Sequence, residues 1–168
     1  LGYLAVDGTV AEGLEIGAPV NLTTSAGLAK LADPPTPVDA GGLIGVQRNA
    51  LDLRPAGATW RAGRLLVGST GRCAVGSATR PCARVTELVT SPDDPPSVRQ
   101  DLRIGPSAGF TDTFVPGVGY SDDGTIWAVY SQAGSGQRVS SWARRQLPDD
   151  PPGAWSAGSA LIAAGRGA

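Results

Sequence analysis

Arg64-Leu65-Leu66-Val67, Gly68-Ser69-Thr70-Gly71, Arg72-Cys73-Ala74-Val75 and, after a short gap, Pro81-Cys82-Ala83-Arg84-Val85-Thr86-Glu87-Leu88 set the reading of the whole chain. Apolar and β-branched runs flank a Gly-Ser-Thr-Gly cluster, which predicts strand, turn and returning strand, then a loop and a third strand. The same order occurs earlier. Ala18-Pro19-Val20-Asn21-Leu22-Thr23-Thr24 alternates as a strand, Ser25-Ala26-Gly27 turns, and Leu28-Ala29-Lys30-Leu31 returns. Glycine suits the turn position that needs positive φ. The Pro-rich loop Asp33 to Pro37 then leads to Gly42-Leu43-Ile44-Gly45-Val46-Gln47. Aligning Gly27 with Gly71 places Leu22 on Leu66, Ser25 on Ser69 and Leu31 on Val75, and aligning Val46 with Val85 matches the third strands. We read an internal duplication of a three-strand unit. The plain alternative is a chance likeness of two glycine-turn hairpins.

Composition points the same way. With 24 Gly and 14 Pro in 168 residues, long helices are excluded, because each interior Gly costs roughly 1 kcal/mol and each Pro about 3. Short strands joined by turns are compatible with that punctuation. Val98 to Ile104 predicts an edge strand that closes the first domain, and beyond it Thr125-Ile126-Trp127-Ala128-Val129-Tyr130 and Arg138-Val139-Ser140-Ser141-Trp142 predict another hairpin across Gly134-Ser135-Gly136. Ser91-Pro92-Asp93-Asp94-Pro95-Pro96 and Pro148-Asp149-Asp150-Pro151-Pro152 read as linkers, since proline cannot donate to a ladder. The expected division is an N-terminal arm at 1–16, a duplicated β domain at 17–104, a β extension at 105–147 and a tail at 148–168.

The charge balance is near even, 14 basic against 15 acidic residues, without the basic footprint that phosphate backbones require. Nucleic acid is therefore not an expected partner, and neither is a membrane: no run reaches the 18 or so apolar residues of a spanning helix. The start, Leu1 to Val10, carries no basic region ahead of an apolar run, so no export signal is expected. Leu1 reads as the product of cleavage or trimming.

The sequence contains no His, which removes the usual general base and the commonest metal ligand. No metal or cofactor is expected. Gly105-Pro106-Ser107-Ala108-Gly109 spells G-x-S-x-G, but a nucleophile elbow needs a preceding strand, a following helix and a later His, so a turn is the better reading. Ser121-Asp122-Asp123-Gly124-Thr125-Ile126-Trp127 resembles the Asp-box hairpin of sialidase-type propellers, one residue short between Asp and Gly; a tight Asp-Gly turn accounts for it. The pairs Asp93/Asp94 and Asp149/Asp150 sit in proline-rich loops and read as solvated charge. Cys73 and Cys82 are too few for a zinc site without His, and without an export signal they are expected reduced. Asn21-Leu22-Thr23 is a glycosylation sequon by letter, set inside a predicted strand.

The run Val10-Ala11-Glu12-Gly13-Leu14-Glu15-Ile16-Gly17-Ala18-Pro19-Val20, followed by Gly27-Leu28-Ala29-Lys30-Leu31 and Leu43-Ile44-Gly45-Val46, resembles small bacteriophage capsid decoration (cement) proteins, with a second occurrence from Ala62 to Val75. The resemblance covers residues 10–90. It departs at Ala83-Arg84-Val85, where Ile-Gly-Val is expected, and finds no counterpart for 105–168. It implies a compact β-barrel or β-tulip body, to which the residues themselves add an all-β whole with a C-terminal β-hairpin extension and an extended tail. It further implies a non-enzymatic protein made in the bacterial host cytoplasm, attached to the outer surface of the virion, clamping the major capsid protein and often trimeric.

The chain ends carry the expected contacts. Ordering a small-residue tail costs roughly 1 to 2 kcal/mol per residue, more than Trp155, Leu161 and Ile162 return, so a partner surface is expected there, and likewise for Tyr3, Leu4 and Val6 in the arm. The competing reading is a glycan-binding β-module with Tyr120, Trp127 and Tyr130 as a stacking platform. A hydrolase would have to rely on Asp112, Asp122 and Asp123.

Overall fold

The computed structural model describes residues 2–3, 6–9, 13–16, 20–21, 55–91, 94, 96–105, 111–134 and 136–165. Among them are twelve strands and no helix, the outcome that the glycine and proline content dictates. Four strands are short: β1 (Gly2–Tyr3) pairs with β4 (Val20–Asn21), and β2 (Val6–Thr9) with β3 (Gly13–Ile16). The other eight build two antiparallel sheets of four, each a meander in chain order. The first holds β5 (Gly57–Arg61), β6 (Arg64–Val75), β7 (Ala78–Val89) and β8 (Ser97–Ile104); the second holds β9 (Thr111–Tyr120), β10 (Ile126–Gly134), β11 (Gln137–Gln146) and β12 (Ala160–Ala163).

Period-2 alternation turns one face of each sheet inward. Leu66, Ala83, Val85, Leu102 and Ile104 from the first sheet meet Ile126, Ala128 and Tyr130 from the second, with Val118, Tyr120, Trp142 and Trp155 packed against them. Burying each large aliphatic chain is worth about 1.5 to 3 kcal/mol. The backbones approach closely at Gly68, where a Cβ would stand 2.4 Å from the Pro116 carbonyl oxygen. Thr113 stitches the sheets together: its hydroxyl accepts from the Ala83 amide at 2.9 Å and donates to the Ile104 carbonyl. Residues 111–146 are thus half of the core, not an extension of it.

Three expectations are corrected. The turn expected at Gly68–Gly71 is the interior of a continuous twelve-residue strand, paired from Arg64↔Val89 to Val75↔Ala78. Chain reversal comes at Gly76, whose φ is +59°, so Gly71 has no turn to share with Gly27, which lies outside the described residues. Unbroken pairing with β7 and burial of Gly68, Thr70 and Gly71 outweigh a local Gly-Ser-Thr-Gly preference, because ladder bonds and burial act along the strand. Second, Cys73 and Cys82 are joined in a disulfide, not held as thiols. The β6–β7 register sets Gly71 opposite Cys82 and Cys73 opposite Arg80, which makes the two cysteines diagonal neighbours with Cα atoms 5.7 Å apart, within bridging range.

Third, the tail is held by its own body. The Trp155 indole donates to the Arg103 carbonyl at 3.1 Å and the Gly153 amide to Gln100 Oε1 at 2.8 Å. The Ser156 amide donates to the Arg145 carbonyl at 3.0 Å, the Tyr130 hydroxyl to Ser159 Oγ at 3.0 Å, and β12 adds to β11. These contacts supply the backbone bonds and apolar burial that a tail of small residues cannot supply alone.

Candidate functional site

Two features of the folded body are placed to meet another molecule. The first is a pocket where the strand ends of both sheets meet. Behind its lining lies Glu87, near the C-terminal end of β7, whose side chain is 0% exposed. A β-bulge in β8 creates its surroundings: Glu87 pairs with Gln100 and Leu88 with Val98, leaving Arg99 as the extra residue. A bulge re-aims side chains that alternation would send to opposite faces. Arg99 and Gln100 consequently both donate to Glu87 Oε2, the former at 2.7 Å, while the Tyr120 hydroxyl donates to Oε1 at 2.9 Å. Burial beside the Glu87 carboxylate pushes the Tyr120 phenol above its ordinary range. Arg64 stands 3.6 Å from Glu87 Oε1 and is half exposed.

Gln100 and Gln146 exchange side-chain amide bonds of 2.8 and 3.0 Å, and Gln146 also donates to the carbonyls of Pro151 and Ala154. This pair ties the two sheets to the Pro148–Pro152 loop. The opposite wall is the turn at Ser121–Thr125. Asp123 Oδ1 accepts from the Thr125 amide and the Ser121 hydroxyl, and Oδ2 accepts from the Thr125 hydroxyl. Those bonds, the Thr125 amide first, hold the Asp123 carboxyl below the usual carboxylate range. Asp150 is lowered chiefly by the Ser156 hydroxyl and then by the Leu147 amide. The pocket encloses about 280 Å³ and is lined by Arg64, Arg99, Gln100, Gln146, Asp123 and Asp150, with Ile126, Leu147, Pro148 and Pro152 as apolar walls.

The second feature is the outer face of the second sheet. Trp127 and Val129 project there, 39% and 45% exposed. Their cross-strand partners are Gly119 and Arg145 for Trp127, and Gly117 and Ala143 for Val129. The Arg145 guanidinium lies over the Trp127 ring, 5.9 Å from its centroid. At the sheet edge, Leu161 and Ile162 on β12 are 51% and 56% exposed. By contrast, β7 in the first sheet is buried on both faces from Pro81 to Leu88.

Of the expected contact residues, Leu161 and Ile162 are open, whereas Trp155 is turned onto its own core. Tyr3 and Val6 lie on the short strands β1 and β2, and Leu4 lies outside the described residues. The stacking platform does not assemble: Tyr130 is 2% exposed inside the core, Tyr120 faces Glu87, and Trp127 points outward from the other side of the sheet. The aspartates also stay apart. Asp112 begins β9, buried and paired with Arg80, while Asp122 and Asp123 follow its far end, about 30 Å along at some 3.4 Å per residue. Residues 106–109 of the G-x-S-x-G run lie outside the described residues, between strands β8 and β9. Sequence reasoning passed over Glu87, Arg99, Gln100 and Gln146. The available signal was polar residues at inward positions of apolar strands, which alternation alone reads as surface. No family model, curated protein or solved structure matches the chain.

Proposed function

We propose that the chain is a structural, non-catalytic module that works by docking onto neighbouring subunits of a larger assembly, and that the assembly is a phage head which it decorates from outside. The observation that carries this reading is the exposed apolar set on one sheet: Trp127 and Val129 on its outer face, Leu161 and Ile162 at its edge. Trp127 and Val129 lie two residues apart on one strand and face the same side of the sheet, an exposed apolar pair of the kind a partner surface covers, and the edge strand β12 offers unpaired backbone groups to a partner. The Cys73–Cys82 disulfide suits a protein that works outside a reducing cytosol, as a released virion does. The barrel or tulip body with two equivalent three-strand units, and a trimeric state, are the finer form that the family resemblance implies. With Gly71 inside a strand, the docking face supports the reading better than the turn alignment does. The test is co-sedimentation with heads stripped of the protein: wild type binds to saturation, and Val129→Lys, which alters only an exposed position, does not.

A further inference from the structure

We propose that the pocket beneath the Pro148–Pro152 loop is a binding site for one sugar ring or a polyol of that size. This site is separate from the docking face. The charged groups facing it are Arg64 and Arg99 against Asp123 and Asp150, so both signs are present and no positive excess favours a simple anion. The carboxylates are already engaged: Glu87 with Arg99, Gln100 and Tyr120, Asp123 with its own turn, and Asp150 through Oδ2 with the Leu147 amide and the Ser156 hydroxyl. Among the described residues no group of three or more His, Cys, Asp or Glu is arranged to hold a metal ion.

What the pocket offers is donors and acceptors side by side. A guanidinium carries five N–H donors. Arg99 donates through Nη1 to Glu87, and Arg64 stands at 3.6 Å, beyond hydrogen-bond reach. Their remaining donors border a space whose other side carries Asp150. Vicinal hydroxyls, each a donor and an acceptor, match that mixture. Ile126, Leu147, Pro148 and Pro152 supply the apolar surface against which the C–H face of a ring packs. A volume of about 280 Å³ lies just under the roughly 300 Å³ at which drug-sized pockets begin, which limits the occupant to a single ring. The bulge that brings Arg99 here is a device recurrently found beside functional sites.

The test is a heteronuclear NMR titration of the oxidised protein with glucose, galactose, mannose and myo-inositol, with phosphate and acetate as anion arms. At least one polyol should shift resonances of residues 99–100, 123–126 and 146–152, with Kd about 1 mM for a dozen heavy atoms held at ordinary efficiency. Arg64→Ala and Arg64→Gln should weaken it at least about tenfold, near 1.4 kcal/mol, with unchanged melting, while Val129→Lys leaves it intact. Pocket resonances that stay fixed with all four polyols, that move with phosphate or acetate instead, or that respond in the Arg64 variants as strongly as in wild type would overturn the proposal.

Discussion

Arg99 reaches Glu87 at 2.7 Å because a bulge sets it opposite no residue of β7. The same carboxylate takes the Tyr120 hydroxyl, and so one end of the sandwich depends on protonation. The folded state raises the Tyr120 pKa, through burial first and the Glu87 charge second. Folded protein therefore holds this proton more tightly than unfolded chain. The stabilisation is complete below the ordinary phenol value of about 10 and is lost as pH climbs above it. Urea midpoints should fall across that alkaline range, and Tyr120→Phe should flatten the decline.

The acid side runs the other way. Asp123 and Asp150 have lowered pKa values from hydrogen bonds in their turns. Their contribution is present above the ordinary carboxylate value of about 4 and disappears as pH falls below it. In Asp150→Asn the acid-induced loss, followed by circular dichroism, should be shallower than in wild type.

The disulfide closes a short loop, the two cysteines being nine residues apart in sequence. A loop of that length is worth about 2 to 3 kcal/mol on the chain-entropy account. Denatured, non-reduced protein should show no titratable thiol, and Cys73→Ser/Cys82→Ser should lower the unfolding free energy by that amount, read as a lower denaturant midpoint. Equal midpoints with and without reductant would contradict the pairing.

Two glycines separate packing from surface. Gly68→Ala places a methyl against the Pro116 carbonyl, while at Gly119 nothing lies within 4 Å of a new Cβ. Thermal unfolding should show a loss of about 1 to 3 kcal/mol for the first, the usual cost of overpacking, and a change under about 0.5 kcal/mol for the second.

Removing residues 148–168 takes away Trp155 from the core margin and β12 from the second sheet. The truncated chain should melt well below wild type, and Trp155→Ala alone should cost about 2 kcal/mol or more as a partly buried aromatic. A truncation that melts like wild type would show that the tail is held elsewhere.

The all-β class, the edge strand before residue 105 and the hairpin across Gly134–Gly136 were legible because they follow from composition, turn residues and strand propensity. The β6 turn was misread because Gly68-Ser69-Thr70-Gly71 is locally a turn sequence, and only pairing along β7 and close contact with Pro116 show why glycine stands at Gly68. The polar pocket was illegible for a different reason. Its members Arg64, Arg99 and Gln146 come from three strands, and Arg99 is set there by a bulge, a feature without a sequence signature of its own. Trp155 was seen as an anchor, but whether it anchors to self or partner depends on tertiary contacts.

The proposed docking runs through the outer face of the second sheet, where Trp127 and Val129 are exposed. The most direct measurement is co-sedimentation of the oxidised protein with heads stripped of it, comparing wild type with Val129→Lys at matched melting temperature. Wild type should bind saturably and raise the thermal resistance of the decorated heads, and the variant should do neither. Wild-type protein that leaves stripped heads bare, or a variant that binds them equally well, would contradict the proposed docking.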